Sequence, residues 1–142
     1  MTATTRPLQI ATLAALIALA LSAFSASGKD VKLSLVGAEE TPPVTTSASG
    51  SGTIKIADDK TVSGSIKTQG IEGIAAHIHV GAPGVAGPPI ITLEKSADGV
   101  WSVPAGAKLT DEQYASFKAG NLYVNVHSQE HKPGEIRAQL KP

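Results

Sequence analysis

Short runs in which every second residue is aliphatic recur along most of this chain, each ending in Gly, Pro, Asp or Ser. A two-residue period is the mark of strands with one buried face. Val31, Leu33 and Leu35 alternate with Lys32 and Ser34. Ile54 and Ile56 alternate with Thr53 and Lys55, and Asp58-Asp59-Lys60 turns the chain into Val62, Gly64 and Ile66, which predicts a hairpin. Ile74, Ala76, Ile78 and Val80 alternate with Ala75, His77 and His79. A loop rich in Gly and Pro (81–89) follows, and then 90–93 and 100–103 give two more short strands, with Trp101 expected in the core. Leu122, Val124 and Val126 alternate with Tyr123, Asn125 and His127, and Ile136, Ala138 and Leu140 with Glu135, Arg137 and Gln139. The prediction is an all-β chain, a Greek-key-like antiparallel β-sandwich or barrel.

One segment departs from the alternation. Thr110 with Gln113 three residues later forms the S/T-x-x-E/Q capping box, and Leu109 and Tyr114 stand where a hydrophobic staple closes. Gly120 fits the stop, so a short helix is expected over 111–119 with Tyr114 and Phe117 facing the strands. The N-terminal segment is different again: Arg6 precedes an uncharged run from Leu8 to Leu21, and small residues follow it. That order reads as a secretory signal peptide over 1–27, with cleavage near Ser25–Ser27. The run is shorter than the ~20 apolar residues a membrane-spanning helix needs, so no stable membrane anchor is expected after cleavage. Residues 28–142 then form a single exported domain, periplasmic or secreted.

Composition narrows the chemistry. Basic and acidic residues balance at 12 each, without a Lys/Arg cluster, which argues against a nucleic-acid partner. The chain has no cysteine, so disulfides, thiolate metal sites and thiol nucleophiles are excluded. A nucleophile elbow and a phosphate-binding glycine loop are both missing, and no catalytic residue is assigned.

The four histidines all lie in the second half of the chain. His77 and His79 occupy i and i+2 of one predicted strand and so share a face, and His127 ends another strand on the face opposite its aliphatic residues. Adjacency of those strands would let the three bind one metal ion. His131, in the turn before Lys132-Pro133-Gly134, is either an exposed loop residue or an optional fourth ligand. Imidazole ligation suits copper or zinc better than calcium or magnesium. Glu135 and Arg137 share a strand face, as a solvated surface, an ion pair, or support for a nearby histidine. Glu39 and Glu40, ahead of Pro42-Pro43, read either as a partner contact or as the polar end of an edge strand closed by prolines.

Four segments taken together resemble the CHRD domain, the module of the secreted developmental protein chordin. They are LVGAEETPPV (35–44), AAHIHVGAPGVAGPP (75–89), the stretch from Leu109 to Ser128 that ends in AGNLYVNVHS, and HKPGEIRAQL (131–140). The family pattern usually has Thr in place of Ser128 and Gly in place of Ala138. The motif positions matched here are His77, His79, Asn125, His127, Gly134, Glu135 and Arg137. The resemblance implies a non-enzymatic extracytoplasmic binding module, its partner an unidentified ligand or protein. An H-x-H strand with a distant third histidine is also similar to the copper side of copper–zinc superoxide dismutases, which implies, as an alternative, a copper or zinc protein with redox or other metalloenzyme activity. The chain lacks their bridging histidine and disulfide, which argues against dismutase activity.

Overall fold

The computed structural model describes residues 26–142; residues 1–25 of the expected signal peptide lie outside the described residues. The elements are β1 (Gly28–Val36), β2 (Ser49–Ala57), β3 (Val62–Gln69), β4 (Ala75–Val80), β5 (Pro89–Thr92), β6 (Glu94–Ala97), β7 (Val100–Ser102), α1 (Asp111–Lys118), β8 (Leu122–His127) and β9 (Ile136–Leu140). All strand pairs are antiparallel. The nine strands make one sheet in the order β5-β4-β8-β9-β1-β2-β3-β7-β6, curled until it is nearly closed. The expectation of an all-β sandwich or barrel with one short helix is therefore borne out.

The alternation is what curls the sheet around an aliphatic interior. Leu35, Ile54, Ile78, Leu122, Val124, Val126, Ile136 and Leu140 are fully buried at 0% exposure. Each such side chain contributes about 1.5–3 kcal/mol on leaving water. Trp101 joins this core as expected, and Phe117 of α1 fills its end with Tyr114 packed alongside. The predicted hairpin forms between β2 and β3, with Ile56 paired to Val62 and Lys60 in the left-handed region at φ 72°.

The helix follows from its caps. Gln113 N–H donates to Thr110 Oγ1 at 3.2 Å, and Thr110 N–H donates to Gln113 Oε1 at 2.9 Å, the reciprocal pair that satisfies two end groups. At the other end Gly120 N–H donates to the Phe117 carbonyl and Asn121 N–H to the Ser116 carbonyl, with Gly120 at φ 78°. This two-bond closure needs a left-handed residue, and glycine takes it without a steric penalty.

Three features depart from the sequence expectation. β6 carries no aliphatic alternation, is exposed along its whole length and owes its form to pairing with β7 at the sheet edge. Ile74 precedes β4 and is 48% exposed, so the core face of that strand starts at Ala76. The third concerns the polar halves of β8 and β9. β8 is buried at all six positions, and Arg137 in β9 is only 1% exposed. A second buried layer, polar in composition, therefore lies on the face of β4, β8 and β9 opposite the aliphatic core.

Candidate metal centre

β4 pairs with β8, and β8 with β9, so the alternate residues that point away from the core line up in rows. Asn125 stands opposite His77 on one side and Arg137 on the other; Tyr123 stands opposite His79 and Gln139. The adjacency that the histidine spacing required is thus present. His77, His79 and His127 each bring a ring nitrogen to within 4.8 Å of the other two. His131 is not part of that cluster; it sits in the β8–β9 turn, where its N–H donates to Ser128 Oγ at 3.1 Å.

Backbone carbonyls set the tautomers of two of the three rings, and those in turn set the third. His79 Nδ1 lies 2.9 Å from the Gly87 carbonyl and His127 Nδ1 lies 2.7 Å from the Lys132 carbonyl. A carbonyl only accepts, so both Nδ1 atoms carry the proton and both Nε2 atoms present a lone pair. His77 Nδ1 is 2.9 Å from His127 Nε2, and since that Nε2 is bare, His77 Nδ1 carries the hydrogen between them. His79 Nε2 is buried with no partner at all.

The rings are held as firmly as their tautomers. His79 stacks on Tyr123 with centroids 4.7 Å apart and planes 4° from parallel, and the Arg137 guanidinium sits 3.5 Å from the Tyr123 ring centroid. Arg137 Nη1 and Nη2 donate to the carbonyls of Val85 and Ala82 at 3.0 and 2.9 Å, and Gln139 Nε2 donates to the Gly81 carbonyl at 2.7 Å. The Gly/Pro loop between β4 and β5 is thereby pinned over the layer through its own carbonyls. Glycine is needed at Gly87, where a Cβ would overlap the Val80 carbonyl.

The electrostatics favour neutral imidazoles. Burial, followed by the neighbouring His127 and His79, lowers the pKa of His77 below the usual histidine value. Burial likewise lowers that of His79, with His127 and Arg137 adding to the effect and the Gly87 carbonyl opposing it. Neutral rings with exposed lone pairs are the form in which histidine ligates a metal. Tetrahedral coordination at 2.0–2.1 Å would place nitrogens about 3.4 Å apart, against the 4.8 Å within which one nitrogen of each ring lies here.

The structure narrows the readings of Glu40, Glu135 and Arg137. β1 lies between β9 and β2 and is not an edge strand. Glu40, just after it, is 6% exposed, and burial pushes its carboxyl above the ordinary range despite Asn125 and Arg137 nearby. Glu135 and Arg137 do not form a solvated face or an ion pair. Glu135 Oε1 accepts from Thr46 Oγ1 at 2.7 Å, and the ion pair seen among the described residues is the surface pair Lys60–Asp111. The burial of Glu40 and the roles of the Lys132 and Pro133 carbonyls had no local signal in the sequence. A cleft of about 360 Å³ beyond the end of β8, lined by Glu72, Ile74, Ser128, Glu130 and Glu135, excludes the histidine cluster.

The CHRD domain family model matches residues 31–140. The chain belongs to the CHRD domain family. No curated protein and no solved structure matches it. The segments that carry the CHRD likeness meet in the polar layer. One supplies Glu40 and Thr41, the second His77, His79 and the pinned loop, the third Tyr123, Asn125 and His127, and the last the Lys132 and Pro133 carbonyls with Arg137.

Proposed function

We propose that this CHRD chain is an exported, extracytoplasmic, non-enzymatic binding module whose His77, His79 and His127 hold a copper or zinc ion. The observation that carries the metal reading is His79: its Nδ1 is committed to Gly87, while its buried Nε2 has no partner. A buried lone pair left open is costly unless something fills it, and an ion shared with His77 and His127 does so. The all-imidazole set and the absence of cysteine favour copper or zinc over calcium or magnesium.

Export rests on the basic, apolar and small-residue order of the first 27 residues and on the typically extracellular setting of CHRD domains. Among the described residues no helix is long and apolar enough to cross a membrane. The partner is an unidentified ligand or protein outside the cytoplasm.

The test is metal analysis of protein purified without a His tag, followed by thermal melting with Zn²⁺, Cu²⁺ or chelator. An ion at a hundredfold excess over its Kd stabilises the fold by about 2.7 kcal/mol. The increase should vanish in His79→Ala. No shift with either ion would sink the metal reading.

A further inference from the structure

The histidine cluster has a fourth polar neighbour. In the antiparallel β4–β8 pair, Asn125 is directly opposite His77, so His77 and His127 are diagonal neighbours, and so are His79 and Asn125, with the same offset. The sheet twist closes the first diagonal to a 2.9 Å contact between ring nitrogens. It also brings the Asn125 amide up to the His79 ring.

Asn125 is 1% exposed, and the two ends of its amide are not equivalent. Nδ2 donates to the Pro133 carbonyl at 3.4 Å. Glu40 lies on that same side; a Cβ added at Gly134 would strike both Glu40 Oε1 and Asn125 Nδ2. Oδ1 is left buried without a partner, as is His79 Nε2. Because His79 carries its proton on Nδ1, two acceptors share this corner of the layer with no hydrogen for either. A cation satisfies both at once.

We propose that Asn125 Oδ1 is a fourth ligand to the ion held by His77, His79 and His127, giving a site of three nitrogens and one amide oxygen. The Pro133 carbonyl, accepting from Nδ2, holds the amide with its oxygen turned inward. This inference rests on the metal reading above. It adds an oxygen donor from β8, so the site is closed from the sheet side by protein rather than by water.

The chain contains two asparagines, Asn121 and Asn125, so labelling asparagine with ¹³C gives one probe and one internal reference. Zn²⁺ added to the labelled, untagged protein should shift the ring ¹⁵N signals of the three histidines and move the Asn125 side-chain carbonyl downfield, while Asn121 stays in place. If the histidines respond and the Asn125 carbonyl does not, the fourth ligand is wrong and the histidine site stands. If no signal responds, the metal reading falls with it.

A second measurement depends on sign. In a Glu40→Gln background, Asn125→Asp replaces a neutral oxygen by an anionic one of the same shape, without setting two carboxylates together. A ligating oxygen makes Zn²⁺ binding tighter, on the order of tenfold or more. Equal or weaker binding in the double variant than in Glu40→Gln alone overturns the proposal.

Discussion

Val124 and Asn125 are neighbours in one strand, yet they face two buried layers of opposite chemistry. On the Val124 side the interior is aliphatic, and any well-packed side chain of the right volume satisfies it. On the Asn125 side each buried atom needs a particular partner, and most partners come from the connecting loops: Ala82, Val85 and Gly87 from one, Lys132 and Pro133 from another. The first layer gives the sheet its stability. The second holds a few atoms where they are available to something else, and the buried atoms left without partners, Glu40 Oε1, His79 Nε2 and Asn125 Oδ1, all belong to it.

The largest expected effect is on the aliphatic side. Ile78→Ala, at a fully buried position, should cost about 2–5 kcal/mol in urea unfolding. A cost well below that range would show an interior loose enough to collapse around the gap, and the contrast between the layers would weaken.

Arg137→Met keeps the volume of a buried side chain but removes the donors to Ala82 and Val85 and the stack on Tyr123. A loss of about 2–3 kcal/mol is expected, with faster amide exchange confined to residues 81–88. Unchanged stability would mean that the polar layer, too, is a matter of filled volume.

The smallest effect sharpens the comparison through pH. Burial raises the folded-state pKa of Glu40, so the folded protein takes up this proton at a higher pH than the unfolded chain. The charged carboxylate therefore weakens the fold above its raised pKa, and the loss is recovered as pH falls through that value toward the ordinary 4.5. Glu40→Gln should be more stable than the parent at neutral pH and lose that advantage on acidification. An advantage that does not change with pH would assign the effect to packing rather than charge.

The aliphatic layer was legible in the sequence because its signal is periodic and local: Leu122, Val124 and Val126 declare a core face by spacing alone. The helix was legible for a similar reason, since Thr110 and Gln113 cap each other. The three histidines were legible by phase, but their meeting depended on β4 lying beside β8, which no local feature states. At Glu135 and Arg137 the sequence leaves a solvated face, an ion pair and support for a histidine all open, because polar residues alternating with aliphatic ones look the same whether water or a loop covers them. Arg137 finds its carbonyl partners 52 and 55 residues away, and such long-range satisfaction leaves no trace in a short window. β6 was missed for the converse reason, having no buried side chain to mark it.

The curled sheet still ends in two unpaired rims, β5 and β6. One starts with Pro89, which lacks a ladder donor, and the other carries Glu94 and Lys95 on a strand of four exposed residues. A second copy of the chain offered either rim finds a missing amide or a charge where it would have to add a strand. The same lack of an apolar face that hid β6 from a periodicity reading makes it a poor template for strand addition by a second copy.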